Sequence, residues 1–308
     1  IPPIEGETEE TDTGDTESEG SGEGSNENSN SAPPKPNSPP TANPIDRAIN
    51  EDGPTFSVDL LTAANAADFD QHALSVSNPD SLVSTSGGRF LTLGVDYTIT
   101  GSVFALTAAG FDKFNSLGEG ETDTLIFSYI VDDGQVYNPA DNIDPTLNQL
   151  TIIAHGSNDA PLIQVVDVTG SISEGSVLSD AGSVTFTDVD LTDRPTASEA
   201  TKSVTALAQD GVTALPLTAQ QQADIEAAFS IAADAGNTNN GTVDWDYTIA
   251  EAKLDFLGEG ETVTAVFTIT VTDDEGVTAT QDVTLTLTGA NDAPLIQVVD
   301  VTGSISEG

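Results

Sequence analysis

The residues best suited to chemistry in this sequence are aspartates and glutamates that recur at matching places. Asp188 and Asp190, one residue apart, follow a β-branched stretch, and the doublet Asp273 and Asp274 follows another. Carboxylate oxygens are hard ligands, and a flexible cluster of them favours calcium over zinc or copper, and over magnesium, which retains its water. These groups can therefore hold calcium if the fold brings them together.

An exact repeat marks where structural units meet. The segment 158–175, which begins Asn-Asp-Ala-Pro, returns letter for letter as 291–308. Self-similarity at a long period indicates an array of units, and each unit here is long enough to bury its own core. We therefore predict a linker at 1–42, a first repeat at 43–157, a second repeat at 158–290 and the start of a third repeat at 291–308.

Composition narrows the possible functions. The chain has 51 acidic and 7 basic residues, with a formal net charge of −44, so bulk charge opposes binding to nucleic acid or to an anionic membrane. It has no cysteine, and no apolar run approaches the roughly 20 residues of a membrane span. There is also no methionine, even at position 1, so we expect the native start to lie upstream. The acidic, proline-rich segment 1–42 is expected to be a disordered spacer.

Short segments rich in β-branched and aromatic residues, bounded by turn residues, predict an all-β fold. Period-two alternation over Val263–Thr272, with threonine outside, is typical of a half-buried antiparallel strand. Thr218 opens a capping box, which predicts a helix running through Phe229. Many short strands with turn signals and little helix indicate β-sandwich units in tandem. The other predicted strands are Thr55–Leu60, Ala73–Ser77, Asp96–Thr100, Thr124–Val131, Leu150–Ala154, Val184–Thr187, Asp244–Tyr247 and Val283–Thr288.

A second landmark, Leu-Gly-Glu-Gly-Glu-Thr, occurs at Leu117–Thr122 and at Leu257–Thr262. Each copy precedes a strong strand, an acidic turn, a last strand and then Asn-Asp-Ala-Pro. Over residues 43–308 this order resembles the VCBS and bacterial cadherin-like repeats of giant RTX-type secreted adhesins. The resemblance implies cadherin-like, Ig-like sandwiches that form an extender region with calcium at the junctions. It also implies type I secretion, an extracellular location at the bacterial cell surface, and a role in cell adhesion and biofilm formation.

Tracing the strands up and down places the acidic residues at the poles of each unit. Two unit charges about 4 Å apart repel by about 4 kcal/mol at an effective dielectric of 20, so a cation is needed to close such a junction. We predict that Ca²⁺ binds between the repeats through Glu51, Glu119, Glu121, Asn158, Asp159, Asp188, Asp190, Asp273 and Asp274. The same reasoning assigns Glu174, Glu259, Glu261, Asn291 and Asp292 to the next junction.

Other interpretations remain open. The acidic loops can simply be solvated, and Trp245 can serve either as a core anchor or as a platform for sugar. His72 and His155 have no nucleophile or cysteine partner in the sequence, and nothing indicates an enzyme. The expected partners are the neighbouring repeats, together with a cell-surface or abiotic ligand bound by domains outside this sequence. Alternative functions are a repeat that itself binds carbohydrate or a host surface, and an accessory repeat of a secreted hydrolase.

Overall fold

A computed structural model describes residues 37–135, 146–294, 296 and 302–307. Two hydrophobic clusters lie in the described chain, one drawn from residues 45–154 and the other from residues 172–287, and they share no member. Each cluster lies between β-sheets, which confirms an all-β chain of tandem β-sandwiches. The prediction of a disordered spacer falls mainly on residues 1–36, which lie outside the described residues.

The first sandwich packs a four-stranded sheet of order β1-β9-β8-β3 against a sheet of order β2-β7-β6. Phe104 on β7 and Phe127 on β8 meet between the sheets, with ring centroids 5.1 Å apart. The strands and short helices are β1 Ile45–Asn50, β2 Ser57–Asp59, α1 Leu60–Ala63, β3 Ser75–Ser77, β4 Leu82–Ser84, β5 Phe90–Thr92, β6 Tyr97–Thr100, β7 Val103–Leu106, α2 Ala108–Phe111, β8 Thr122–Asp132 and β9 Thr146–His155.

The second sandwich packs a sheet of order β10-β12-β16-β15 against a sheet of order β11-β18-β17-β13-β14. Its core is aromatic, with the rings of Phe229 and Phe267 stacked at 4.1 Å. Trp245 is buried and its Nε1 donates to the Asp167 carbonyl at 2.6 Å, so it is a core anchor. The elements are β10 Leu162–Val165, β11 Thr169–Ser173, β12 Ser179–Thr187, β13 Thr196–Leu207, β14 Ala214–Leu215, α3 Ala219–Glu226, β15 Phe229–Ala233, β16 Asn240–Thr248, a 3₁₀ turn Glu251–Lys253, β17 Thr262–Thr272 and β18 Thr278–Thr288.

Two predicted elements end earlier than expected. The capping box at Thr218 is present, but α3 stops at Glu226, because Phe229 pairs with Tyr247 in the sheet and stacks on Phe267. The strand predicted to end at Leu60 ends at Asp59, whose Oδ1 accepts from the Thr62 N–H at 2.8 Å and caps α1. No helix among the described residues has both the length and the apolar character needed to cross a lipid bilayer.

In both sandwiches, the strand that opens the domain runs parallel to the strand that closes it. β1 pairs with β9 from Ile45 opposite Leu150 to Asn50 opposite His155. In the second sandwich the opening segment changes sheets, since β10 pairs with β12 and β11 then pairs in parallel with β18. The end of each opening strand therefore lies beside the exit of its domain, and Glu51 directly follows β1.

Candidate metal centre between the sandwiches

Glu51 is held at the exit of the first sandwich by two backbone donors. Its Oε1 accepts from the Ser157 N–H at 2.7 Å and its Oε2 from the Leu117 N–H at 3.3 Å. The side chain is buried, and burial raises the pKa of Glu51 to about 7, with Asp190 and Asp159 adding repulsion. These bonds fix the carboxylate at the place where the chain enters the second sandwich.

A first cluster joins Glu51 with Asp159 of the linker and Asp190 of the second sandwich. One carboxylate oxygen from each lies within 4.8 Å of the others. The Asp159 N–H donates to Asp190 Oδ2 at 2.8 Å, while Asp190 Oδ1 is buried without a hydrogen-bond partner. Burial, with smaller contributions from Asp159 and Asp188, raises the pKa of Asp190 to about 6. This cluster contains groups from both sandwiches.

A second cluster lies at the entry pole of the second sandwich. Asp188, Asp193 and Asp273 each bring a carboxylate oxygen within 4.8 Å of the other two, and all three side chains are buried. Burial raises the pKa of Asp193 to about 7, and the charges of Asp188 and nearby acidic groups add to the effect. Asn158 ties the linker to this cluster, because its Nδ2 donates to Asp273 Oδ2 at 3.0 Å.

Four oxygen atoms in these two clusters are buried without a hydrogen-bond partner: Asp188 Oδ2, Asp190 Oδ1, Asp193 Oδ2 and Asn158 Oδ1. Buried polar groups are normally hydrogen-bonded, and an unpaired buried charge is strongly destabilising. Within the described ranges no lysine, arginine or histidine forms an ion pair with either cluster. An all-oxygen donor set of carboxylates and one amide carbonyl fits a hard cation such as calcium.

The predicted site residues fall into two groups. The structure brings together Glu51, Asn158, Asp159, Asp188, Asp190 and Asp273. Glu119 and Asp274 are exposed and belong to neither cluster. Glu121 turns back on its own loop, where its Oε2 accepts from the Gly118 N–H at 3.1 Å.

Asp193 belongs to the second cluster although it is not among the residues predicted from the sequence. Its N–H donates to the Asp190 carbonyl at 3.2 Å, so a tight turn returns its side chain toward Asp188. The only signal in the sequence is its spacing, three residues after Asp190 and followed by Arg194 and Pro195. That pattern is common in solvated turns and does not single out a ligand.

The loops around the clusters pack against each other across the junction. The Leu191 N–H donates to the Ser116 carbonyl at 3.5 Å, and Asn115 Nδ2 donates to Asp159 Oδ2 at 3.4 Å. Gly118 lies against the same loop, since a Cβ placed on it would be 3.2 Å from Thr192 Oγ1. The glycine of the Leu-Gly-Glu landmark thus allows close approach of the two sandwiches.

The exit pole of the second sandwich repeats half of this arrangement. Glu174 Oε2 accepts from the Ala290 N–H at 2.7 Å, as Glu51 accepts from Ser157, and its Oε1 is buried without a partner. Glu261 accepts from the Gly258 N–H at 2.9 Å, as Glu121 does from Gly118. Glu259, Asn291 and Asp292 are exposed.

A third cluster lies at the entry pole of the first sandwich. His72 Nδ1 is 3.0 Å from Asp68 Oδ2 and 3.8 Å from Asp133 Oδ2. The Ser38 N–H donates to Asp70 Oδ2 at 2.7 Å, which matches the bond from Asp159 to Asp190. At both entry poles, a backbone N–H of the incoming segment therefore donates to an aspartate carboxylate. The cluster at the entry pole of the first sandwich differs in that it includes a histidine.

These features define the class of the protein as tandem β-sandwiches with acidic clusters at their poles. No protein-family model matches the chain, and no curated protein matches it. Among solved structures, it is 12% identical to human mucin-like protocadherin EC1-2, covering 82% of this chain and 98% of that one with a TM-score of 0.38. It is 15% identical to human CDH23 EC21-23, with coverages of 80% and 72% and a TM-score of 0.37. It is 13% identical to the zebrafish RET cadherin-like domains 1 to 4, covering 79% of this chain but only 47% of that structure, with a TM-score of 0.29.

Proposed function

We propose that the chain is part of an extender region in which calcium stiffens the junction between successive sandwiches. The observation that carries this proposal is that Glu51 of the first sandwich and Asp190 of the second belong to one buried carboxylate cluster. Calcium in that cluster would be bound by both domains at once. It would also supply partners for the oxygens that have no hydrogen bond.

Repulsion between carboxylates opposes closure of the junction when no cation is bound. Each pair of carboxylates about 4 Å apart repels by about 4 kcal/mol at an effective dielectric of 20, so the junction without a cation favours separation of the domains. A divalent cation replaces this repulsion with shared coordination. Extracellular calcium modules bind at about 10⁻⁴–10⁻³ M, so such a site fills outside a cell and empties inside it. The chain would then be flexible during export and stiff afterwards.

The setting we propose is a large bacterial surface adhesin of the VCBS and RTX type. The support is the order of the landmarks, from Leu-Gly-Glu-Gly-Glu-Thr through the acidic turn to Asn-Asp-Ala-Pro. In this proposal the repeats are secreted by a type I system and extend from the cell surface. They support adhesion and biofilm formation through a ligand-binding domain outside this sequence. Direct binding of sugar by the repeat has less support, because Trp245 is buried.

Small-angle X-ray scattering of the chain, with millimolar calcium or with chelator, tests the proposal. We expect calcium to raise the maximum dimension and to reduce interdomain flexibility. Replacing Asp188 and Asp190 together with asparagine should abolish this response. The matched control replaces Asp244 and Asp246, which have the same spacing but are exposed on β16.

The control variant should respond to calcium as the original chain does. Isothermal titration calorimetry on the same samples should detect calcium binding to the original chain and to the control. Identical scattering profiles in calcium and chelator, with no binding heat, would rule the proposal out.

A further inference from the structure

The entry pole of the first sandwich holds a histidine between two carboxylates, outside both calcium clusters. One donor atom from each of Asp68, His72 and Asp133 lies within 4.8 Å of the other two. The side chains of Asp68 and Asp133 are only 1% and 7% exposed, whereas that of His72 is 34% exposed. Two buried carboxylates thus face one imidazole ring that solvent can reach.

The two carboxylates are held as in the second cluster, at the entry pole of the second sandwich. Asp133 directly follows β8 and Asp273 directly follows β17. In Asp68, Asp133, Asp188 and Asp273, Oδ1 accepts from the backbone N–H two residues further along, at 2.5, 2.9, 3.1 and 3.0 Å respectively. Asp68 therefore corresponds to Asp188, and Asp133 corresponds to Asp273. In each of these residues the other carboxylate oxygen, Oδ2, is left to face the cluster.

The second cluster indicates that this arrangement is built to hold a cation. Asp188 Oδ2 and Asp193 Oδ2 are buried there without a hydrogen-bond partner, and buried polar atoms are normally paired. In the first sandwich His72 takes the place of Asp193, since its Nδ1 lies 3.0 Å from Asp68 Oδ2, the counterpart of Asp188 Oδ2. An imidazole nitrogen thus replaces one of the three carboxylate donors.

This replacement changes the metal ion that the donor set selects. Calcium takes about six to eight oxygen ligands, whereas imidazole suits zinc, copper, nickel and iron. Around a tetrahedral zinc ion with bonds of about 2.0–2.1 Å, neighbouring donor atoms lie about 3.3 Å apart. His72 Nδ1 is 3.0 Å from Asp68 Oδ2 and 3.8 Å from Asp133 Oδ2, so the two separations lie on either side of that value. Two carboxylates also balance the charge of one divalent ion.

We propose that Asp68, His72 and Asp133 bind a divalent transition-metal ion, of which zinc is the representative. His72 would bind it through Nδ1 and each aspartate through Oδ2, and water would fill the fourth position. The ion would join the loop between α1 and β3 to the end of β8. The site shares no residue with the two calcium clusters, so it does not depend on the calcium proposal.

Calorimetric titration of the full 308-residue chain with zinc chloride tests the site. Calcium in excess and physiological salt are present throughout, so that oxygen-only clusters are occupied and the acidic surface is screened. We expect His72→Gln to weaken zinc binding at least about tenfold, because even the loss of a hydrogen bond to a metal ligand costs about 10–100-fold. His155→Gln is the matched control, since His155 is exposed and is the only other histidine in the sequence.

Nitrogen-15 NMR of the imidazole rings identifies the ligand atom without any substitution. Zinc should shift the Nδ1 resonance of His72 and leave both ring nitrogens of His155 unchanged. A third variant, His72→Asp, restores the three-carboxylate set of the second cluster. It should lower the ratio of zinc affinity to calcium affinity at the site at least about tenfold.

Several results would overturn the proposal. Equal zinc affinity in the original chain and in His72→Gln, or an equal loss in His155→Gln, would show that His72 is only a hydrogen-bond partner of Asp68. An unshifted Nδ1 resonance at saturating zinc would show the same. An unchanged ratio of zinc to calcium affinity in His72→Asp would show that the imidazole does not select the metal. Circular dichroism of each variant checks that it folds, and the NMR result on the original chain stands without them.

Discussion

Glu51 and Asp190 come from different sandwiches, yet their carboxylate oxygens lie within 4.8 Å of each other in one cluster. Each is fixed by its own backbone donor, Glu51 by the Ser157 N–H and Asp190 by the Asp159 N–H. Because Ser157 and Asp159 are two residues apart in the linker, one short segment positions both carboxylates. The binding of a cation here would therefore depend on the relative placement of the two domains.

The first prediction concerns this pair. Glu51→Gln keeps the size of the side chain and an oxygen acceptor but removes one negative charge from the cluster. We expect calcium affinity to fall at least about tenfold, which equals about 1.4 kcal/mol, measured by isothermal titration calorimetry. Glu119→Gln is the matched control, because Glu119 is exposed and lies outside both clusters. Equal losses in the two variants would show that net charge, and not this cluster, governs binding.

The second prediction concerns pH. Burial raises the pKa of Asp190 from 3.8 to about 6 and that of Asp193 from 3.8 to about 7. A raised carboxyl pKa means that the folded chain holds protons that the unfolded chain releases. The stabilising contribution is thus complete below the unfolded pKa and is lost as the pH rises through the folded values. In chelator, we expect the free energy of unfolding of the second sandwich to decrease as the pH rises from about 4 to about 8.

Urea unfolding followed by the fluorescence of Trp245 measures this dependence, because it is the only tryptophan and lies in the second sandwich. Replacing Asp190 and Asp193 together with asparagine should make the decrease in the free energy of unfolding with rising pH smaller than in the original chain. Calcium should suppress it, since the bound cation favours the ionised carboxylates. If the variant and the original chain showed the same pH dependence, it would arise from the overall acidic charge of the chain and not from these two carboxyl groups.

The third prediction tests the core of the second sandwich. Phe267 is fully buried and its ring stacks on Phe229 at 4.1 Å. Phe267→Ala should lower the free energy of unfolding by about 3–5 kcal/mol, because it removes apolar contacts and leaves a cavity. Thr268→Ala, which changes the next residue on the opposite side of β17, should cost much less. A loss below about 1 kcal/mol for Phe267→Ala would contradict the packing described for this strand.

The fourth prediction concerns the close approach at the exit of the first sandwich. A Cβ on Gly156 would lie 2.3 Å from the carbonyl oxygens of both Leu117 and Gly118. Gly156→Ala must therefore move backbone, and we expect a cost of about 1–3 kcal/mol in the first sandwich and weaker calcium binding. Gly236→Ala is the control, because its Cβ would meet only Asp234 Oδ1 at 3.8 Å. If calorimetric unfolding gave the same loss of stability for the two variants, this prediction would be wrong.

Local patterns in the sequence predicted the β-sandwich class, because alternation over Val263–Thr272 reflects one buried and one solvated face. They also predicted acidic groups at the poles, since turn residues cluster where strands end. They did not predict the parallel pairing of β1 with β9, because strand propensity carries no information about the partner strand. Nor did they predict that Asp193 joins Asp188 or that His72 joins Asp68, since both depend on turns that only the assembled fold defines.

The parallel pairing of opening and closing strands has a mechanical consequence. A pull on the two ends of the first sandwich draws β1 and β9 in opposite directions along their length. Their six paired positions are then loaded in shear and must fail together, whereas a peeled hairpin loses its bonds one at a time. β11 and β18 give the second sandwich the same geometry with five paired positions. An array of such units would resist force at every unit, so a load applied along it would be transmitted without unfolding the units one after another.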